Sequence, residues 1–300
     1  MSCWINYKNG NYIVHFNLEN GTKIRENDLD NLTPAFAENC DVKITDKCDG
    51  GCEFCYEGCT INGRHGDILN YKFLDTLHEH TELAINGNDL SHPDLIPFLE
   101  KLREKKVIAN MTVNQIHFER EQEFIQQLVN DKLIHGLGIS LKYPSGKFIK
   151  LVKKYPNAVI HTINGVTTLE DYKMLAHHNL KVLILGYKEL QRGISYMDTN
   201  FVTVHQNQAE LYNKIGTIIN EGWFNVVSFD NLAIEQLDIR RLLSDEEWNE
   251  FYMGDDSQYT FFLDLVEGKF AGNSLAPEDE RYDILSSIDD MFERIRKKAI

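Results

Sequence analysis

Three cysteines stand close together in the amino-terminal part of the chain. Cys48, Cys52 and Cys55 follow the pattern C-x3-C-x2-C, just after a short apolar run that predicts a strand. Thiolates at such spacing are typical ligands of an iron-sulfur cluster. Three of them can hold three irons of a cubane, which leaves the fourth iron open to a chelating small molecule. The pattern therefore predicts a metal centre that also binds a ligand.

A fourth cysteine leaves a second interpretation open. Cys59 extends the series to C-x3-C-x2-C-x3-C, and four thiolates could hold a structural zinc in a noncatalytic α/β module that binds a partner. Structural zinc sites usually divide their ligands between two separate turns, whereas here all four cysteines lie in one short stretch that runs from Cys48 to Cys59. A disulfide framework is not favoured, because the chain has 6 Cys and all of them precede residue 60.

The cysteine stretch, with aromatic Phe54 immediately before the last cysteine, resembles the signature of the radical S-adenosylmethionine (SAM) enzymes. The resemblance implies one [4Fe-4S] cluster on Cys48, Cys52 and Cys55, and SAM bound to the open iron through its amino and carboxylate groups. It also implies an external one-electron reductant such as flavodoxin or ferredoxin. Reductive cleavage of SAM would give a 5′-deoxyadenosyl radical that takes hydrogen from a substrate, which the sequence does not identify among small molecules, nucleotides and peptides.

The same resemblance suggests five residues for the SAM site. Gly87 lies in an Asn-Gly-Asn-Asp stretch at the place where the family's backbone meets the SAM amino group, and Asp89 is the candidate for charge assistance. Ser140 and Lys142 resemble polar positions that meet the SAM ribose or carboxylate. Phe54, or its backbone, is the matched adenine contact.

The elements that must position these residues alternate along the chain. Predicted strands lie at residues 42–45, 83–85, 107–113, 136–141, 158–163 and 182–185, and predicted helices at residues 69–80, 94–106, 119–130, 147–154 and 169–178. Such alternation predicts an α/β fold with a parallel sheet. Six units would make a partial (β/α)6 TIM-like barrel, the core architecture of the family; an eight-unit barrel or an open doubly wound sheet would give nearly the same local pattern.

Polar residues gather after the predicted strands. Asn114 follows the third strand, Ser140 closes the fourth, and Asn164 follows the fifth. In barrel enzymes the carboxyl ends of the strands carry the active site. The repeated occurrence of polar residues there predicts a site at that edge of the sheet.

Three segments are expected along the chain. Residues 1–38, with Asn-Gly turns at 9–10 and 20–21, predict an N-terminal β-hairpin cap, and residues 39–235 form the expected radical SAM core. Residues 236–300 form a C-terminal α/β extension packed on the core, with a hairpin at 259–271 and a final helix. Residues 201–205, rich in β-branched and aromatic side chains, are interpreted as a further strand.

Composition sets limits on the function. The net charge is −15, which argues against nucleic acid as a partner, and no apolar run reaches the length that a membrane span needs. We expect a cytoplasmic enzyme without a membrane partner. Because no cysteine follows residue 60, we expect a single cluster and no methylthio transfer; Cys3, Cys40 and Cys59 are interpreted as small, mostly buried residues.

Overall fold

The computed structural model of the chain describes residues 4–27, 31–88 and 90–298. Asp89, one of the five predicted SAM contacts, lies outside the described residues, as does Cys3. Within the described ranges, no helix is long and apolar enough to cross a membrane.

The first three strands form a small antiparallel sheet. β1 (Trp4–Asn9), β2 (Tyr12–Asn17) and β3 (Lys23–Glu26) pair in sequence order. Gly10 in the first turn has φ +61°, and a Cβ there would lie 1.9 Å from the carbonyl oxygen of Thr33. Only glycine fits this close approach, and the predicted hairpin is confirmed.

The remaining strands form one sheet of ten. They are β4 (Asn39–Lys43), β5 (Glu82–Asn88), β6 (Ile108–Asn114), β7 (Gly136–Ser140), β8 (Ala158–Ile163), β9 (Lys181–Leu185), β10 (Val226–Phe229), β11 (Thr260–Asp264), β12 (Lys269–Ala271) and β13 (Tyr282–Asp283).

Their spatial order is β10-β9-β8-β7-β6-β5-β4-β11-β12-β13. Every pair from β10 to β11 is parallel, and the last two pairings are antiparallel. The predicted α/β class and parallel sheet are therefore confirmed. β10 and β13 are the two edges, and no pairing joins them in the part of the chain that the structure describes.

Nine α-helices lie within the described ranges. They are α1 (Leu95–Glu104), α2 (Gln115–Arg120), α3 (Gln122–Asn130), α4 (Gly146–Val152), α5 (Leu169–Leu175), α6 (Arg192–Asn220), α7 (Asn231–Gln236), α8 (Asp245–Phe251) and α9 (Ile288–Lys298). One face of the sheet packs against them. Ile139, Ile160 and Val182 are fully buried there in one cluster with the helix residues Phe118 and Phe148. This apolar layer fixes the strands in register, because alternate strand residues point to the same face.

Two local predictions are wrong. Residues 69–80 contain only a short 3₁₀ helix, Lys72–Thr76, and residues 201–205 belong to α6 instead of forming a strand. Buried residues recur every seven positions along α6 and so form one stripe on the helix: Met197, Val204, Leu211 and Ile218. Packing of this stripe outweighs the β propensity of the Phe-Val-Thr-Val run.

A buried ion cluster joins the small sheet to the start of the large one. The Lys23 Nζ lies 2.6 Å from Glu82 and 3.4 Å from Glu38, and the Arg25 Nε lies 2.8 Å from Glu38. Burial alone would raise the pKa of Glu38, but the two cations and the Tyr12 hydroxyl hold it below its usual value. The small sheet is therefore joined to the amino-terminal ends of β4 and β5.

Candidate functional site

The cysteines lie in a loop that leaves the carboxyl end of β4. Backbone hydrogen bonds close its two arms: Thr45 bridges to His65, and Lys47 to Thr60. The Cys48 N–H donates to the Thr60 carbonyl at 2.9 Å. The loop is thus a hydrogen-bonded structure before any ligand is considered, and it presents its cysteines at a fixed place. We call residues 46–62 the cysteine loop.

Side chains from the neighbouring strand ends reach this loop. The Asn114 amide, at the end of β6, donates to Cys52 Sγ at 3.2 Å, and Lys142 Nζ, just after β7, donates to the Gly50 carbonyl at 3.0 Å. Parallel strands bring their carboxyl ends to one edge of the sheet. Two polar residues from the ends of neighbouring strands, Asn114 and Lys142, therefore contact the cysteine loop.

Two sulfur atoms accept hydrogen bonds from fixed donors. The Gly50 N–H lies 3.3 Å from Cys48 Sγ, and a Cβ on Gly50 would lie 3.2 Å from the same sulfur. The Asn114 side chain also caps α2, because its Oδ1 accepts the Ile116 N–H at 3.0 Å. The cap fixes the amide orientation so that its NH₂ group faces Cys52.

The third cysteine is paired with the fourth. A hydrogen bond from the Cys59 thiol, followed by backbone N–H groups and the Arg192 cation, lowers the pKa of Cys55 to about 5 against the opposing effect of burial. The same hydrogen bond, together with burial, raises the pKa of Cys59. Cys55 is therefore the thiolate of the pair, and the thiolate is the form that binds metals.

Cys59 has a different environment from the other three loop cysteines. It is 5% exposed, whereas Cys48, Cys52 and Cys55 are all partly exposed. Its sulfur accepts a hydrogen bond from the Asn88 amide at 3.3 Å. Cys59 is therefore a buried, protonated thiol whose role is to donate a hydrogen bond to Cys55.

An arginine from a distant part of the chain fastens the loop. Arg192, the first residue of α6, donates from Nε to the Cys52 carbonyl at 3.0 Å and from Nη2 to the Cys59 carbonyl at 2.9 Å. One turn later, Tyr196 meets the half-buried Phe54 edge-on, with ring centroids 5.8 Å apart. The first turn of α6 thus covers one side of the cysteine loop.

A second set of side chains, from α2, also contacts the cysteine loop. Asp49 hydrogen-bonds the fully buried His117 and pairs with Arg120 at 3.1 Å. The His117 hydrogen bond, with Arg120, lowers the pKa of Asp49. His117 uses Nε2 for this contact, and its buried Nδ1 has no hydrogen-bond partner among the described residues.

The end of β5 carries the predicted glycine. Asn86 pairs with Thr112 and Asn88 with Val113, so the ladder contains a bulge at Gly87. On either side of it, the Asn86 amide donates to Glu57 at 2.6 Å and the Asn88 amide to a backbone carbonyl at the start of the loop. The backbone at Gly87 is therefore next to the cysteine loop.

The other predicted positions lie at the same edge. Ser140 is the register partner of both Asn114 and His161, and it is half-buried. The Lys142 N–H donates to the Gln115 side chain at 2.9 Å while its ammonium group reaches the loop. Lys142 thus contacts the cysteine loop directly, whereas Ser140 lies beside Asn114 on the neighbouring strand.

The donor set fits an iron-sulfur cluster. None of the three cysteines forms a disulfide with another described residue, and two of their sulfurs accept hydrogen bonds of the kind that tune such clusters. No three His, Cys, Asp or Glu side chains converge on a single-ion site in the ranges that the structure describes. The sulfurs that hold a cubane each bind a different iron, so they need not converge in that way.

Sequence reasoning missed several residues of the site. The sequence indicates Asn114 only as a polar residue after a predicted strand, and no local pattern distinguishes Arg192 or His117 from ordinary helix residues. Their contacts with the loop arise from the order of strands and from the position of α6. A prediction of the spatial neighbours of the loop would have been needed to find them.

Comparison with known proteins gives a likeness of fold. No protein-family model and no curated protein matches the sequence. The fold is similar to that of SuiB from Streptococcus suis, in a crystal structure of SuiB bound to S-adenosylmethionine. The TM-score is 0.57 at 12% sequence identity, over 94% of this chain and 85% of the SuiB chain. At this identity the likeness concerns the fold alone.

Proposed function

We propose that this chain is a radical SAM enzyme. Cys48, Cys52 and Cys55 would bind one [4Fe-4S] cluster, with SAM on the open iron. When bound, the reduced cluster would supply the electron that splits SAM into methionine and a 5′-deoxyadenosyl radical. The radical would then abstract hydrogen from a substrate that is a small molecule, nucleotide or peptide.

One observation carries the proposal: three cysteines with a cluster-type spacing lie where polar strand ends meet on a parallel sheet. Neighbouring hydrogen bonds lower the pKa of Cys55, and Asn114 and Gly50 direct N–H groups at the other two sulfurs. The likeness of the fold to SAM-bound SuiB adds support. A site at the carboxyl ends of parallel strands could orient a substrate and exclude water from a reactive intermediate.

Each predicted SAM contact has a part in this proposal. Lys142 faces the loop with a cation suited to the SAM carboxylate, and Ser140, two residues earlier at the end of β7, offers a hydroxyl. Gly87 would bring its backbone to the amino group, with Asp89 beside it in the chain. Phe54, packed on the first turn of α6, would border the adenine.

The wider assignment follows from the same proposal. We propose that the parallel strands form the partial (β/α)6 barrel of the radical SAM core, within residues 39–235, between a cap at 1–38 and an extension at 236–300. The extension contributes β11 to the core sheet beside β4. The enzyme would work in the cytoplasm, with flavodoxin or ferredoxin as the electron donor.

Anaerobic reconstitution with iron and sulfide tests the proposal. The reconstituted protein should contain about four irons and four sulfides per chain, the content of one cubane, and show thiolate-to-iron charge-transfer absorbance. With SAM and a reductant it should release 5′-deoxyadenosine. A protein that is isolated with one zinc per chain and never yields 5′-deoxyadenosine would be the noncatalytic zinc module instead.

Two alanine variants separate the three-ligand site from a four-ligand one. Cys55→Ala should abolish cluster assembly and SAM cleavage, because it removes a ligand. Cys59→Ala removes a protonated, enclosed thiol, so the variant should still assemble a cluster and cleave SAM. Equal loss in both variants would contradict the assignment of three ligands.

A further inference from the structure

A cavity of about 290 Å³ lies on the face of the large sheet that is opposite the helices. Its wall is made by inward-facing residues of six neighbouring parallel strands. They are Ala84, Thr112, Gly138, His161, Leu183 and Ser228. The volume is near the lower end of the range for small-molecule sites, about 300 Å³. No residue of the cysteine loop lines this cavity.

The small N-terminal sheet forms the floor of the cavity. Phe16 and Leu18, from β2 and the turn after it, close the amino-terminal end. Among the described residues of the lining, Glu82 is the only carboxylate; it pairs with Lys23 at 2.6 Å and accepts a hydrogen bond from Asn110 at 3.0 Å. The acidic group at the floor is therefore already paired.

A cation in the cavity is not paired. Lys181, the first residue of β9, lines the cavity and has no hydrogen-bond or ion-pair partner among the described residues. Burial lowers the pKa of Lys181, and no neighbouring carboxylate among the described residues raises it again. A partly desolvated charge without a counter-ion is costly, so a bound anion would be favoured there.

Two further polar groups line the wall above Lys181. His161 and Ser228 flank Leu183 in register on the two adjacent strands. The absence of a side chain at Gly138 makes room for the imidazole, since a Cβ there would lie 2.5 Å from His161 Cε1. Burial lowers the pKa of His161 to about 4, so the ring is neutral near physiological pH and keeps one N–H to donate.

Most of the remaining wall surface is apolar, although Asn110, Thr112, His135 and Asn157 also line the cavity. Ala84, Val159 and Leu183 line the cavity between the cation at the floor and the strand ends. His161 is the register partner of Ser140, a predicted SAM contact, and Lys181 precedes Leu183 by two residues. At about 3.3 Å per residue, the cation layer is roughly 7 Å below the layer of Ser140.

We propose that this cavity binds a small organic carboxylate, with the carboxylate on Lys181 and an apolar body directed towards the cysteine loop. One cation with hydroxyl and imidazole donors suits a monoanion, and the apolar wall suits a hydrocarbon body. As the substrate class for the radical reaction, this inference rests on the proposed function. It places the reacting C–H at the end of the molecule remote from the carboxylate.

Isothermal titration of the full chain near neutral pH tests the binding site. The probes are hexanoate, its neutral analogue hexanamide, and inorganic phosphate. Hexanoate should bind about tenfold or more tightly than hexanamide, the factor expected for a charge-assisted contact. Equal affinities of the two would overturn the proposal, and tighter Lys181-dependent binding of phosphate would overturn the choice of a carboxylate.

Variants of the lysine show whether the cation is responsible. Lys181→Met should reduce hexanoate affinity to that of hexanamide, and Lys181→Arg should retain most of it. Lys150→Met, at an exposed position on α4, should bind as the native chain does. Unchanged hexanoate binding in a folded Lys181→Met variant would overturn the assignment.

The two proposals fail separately. Carboxylate binding is measured without iron, SAM or reductant. If hexanoate binding depends on Lys181 but no SAM cleavage is ever found, the proposal of a radical SAM enzyme is wrong and the proposal of a carboxylate site is retained. If SAM is cleaved but hexanoate binding ignores Lys181, only this inference falls.

Discussion

The contact of Arg192 with the cysteine loop gives a quantitative test of how the site is held. We consider Arg192→Met, which keeps the length of the side chain and removes its charge and donors. The native guanidinium satisfies the carbonyls of Cys52 and Cys59 at 3.0 and 2.9 Å, from a half-buried position.

The expected cost follows from these two hydrogen bonds. A buried hydrogen bond from a charged donor contributes about 1.5–3 kcal/mol, and partial exposure reduces that to about 1 kcal/mol each. The loop should therefore lose about 2 kcal/mol of local stability, which corresponds to about thirtyfold more frequent opening. The global unfolding transition should move little, because the apolar core is untouched.

Hydrogen exchange of the loop amides measures this effect directly. The amide of Cys48 is bonded within the closed loop and should exchange about thirtyfold faster in the variant. Arg120→Met is the matched control: Arg120 clasps the same loop through the exposed Asp49, a surface pair that contributes at most about 1 kcal/mol. Similar exchange in the native chain and Arg192→Met, or equal effects of the two variants, would refute the assigned role of Arg192.

Three other variants or titrations test separate parts of the structure. Glu38→Gln should lower the free energy of unfolding in urea by about 3 kcal/mol, because it leaves the buried Arg25 without its carboxylate and Lys23 with Glu82 alone. Since the folded pKa of Glu38 is depressed, its contribution is present above about pH 4.3 and is lost as pH falls further, so the variant should show a weaker acid dependence. Asn114→Ala should lower the reduction potential of a reconstituted cluster by removing the N–H donor to Cys52, whereas an unchanged potential would exclude that contact. The His161 imidazole should titrate near pH 4 by NMR, and a midpoint above 6 would show that it is solvated.

Much of the fold follows from local sequence. The predicted strand at 158–163 coincides with β8, and all six predicted core strands are present, because buried parallel strands read as short apolar runs between amphipathic helices. The strand predicted at residues 201–205 is wrong, because β propensity carries no information about the buried stripe of α6 that includes Val204.

The site was only partly predictable for the same reason. Cysteine spacing is a local signal, and the three cysteines stand out without any knowledge of the fold. Arg192 reaches the loop only because α6 begins above it, and β11 pairs with β4 although it lies far along the chain. Such contacts depend on tertiary packing, which has no short-range pattern.

The place of β11 has a consequence for synthesis of the chain. β4, which leads directly into the cysteine loop, has β5 on one side and β11 on the other. Residues 260–264 are synthesised more than two hundred residues after β4, so in that interval β4 has one open edge. A nascent chain halted before this point would expose an unpaired strand beside the cysteine loop, where another chain could pair with it.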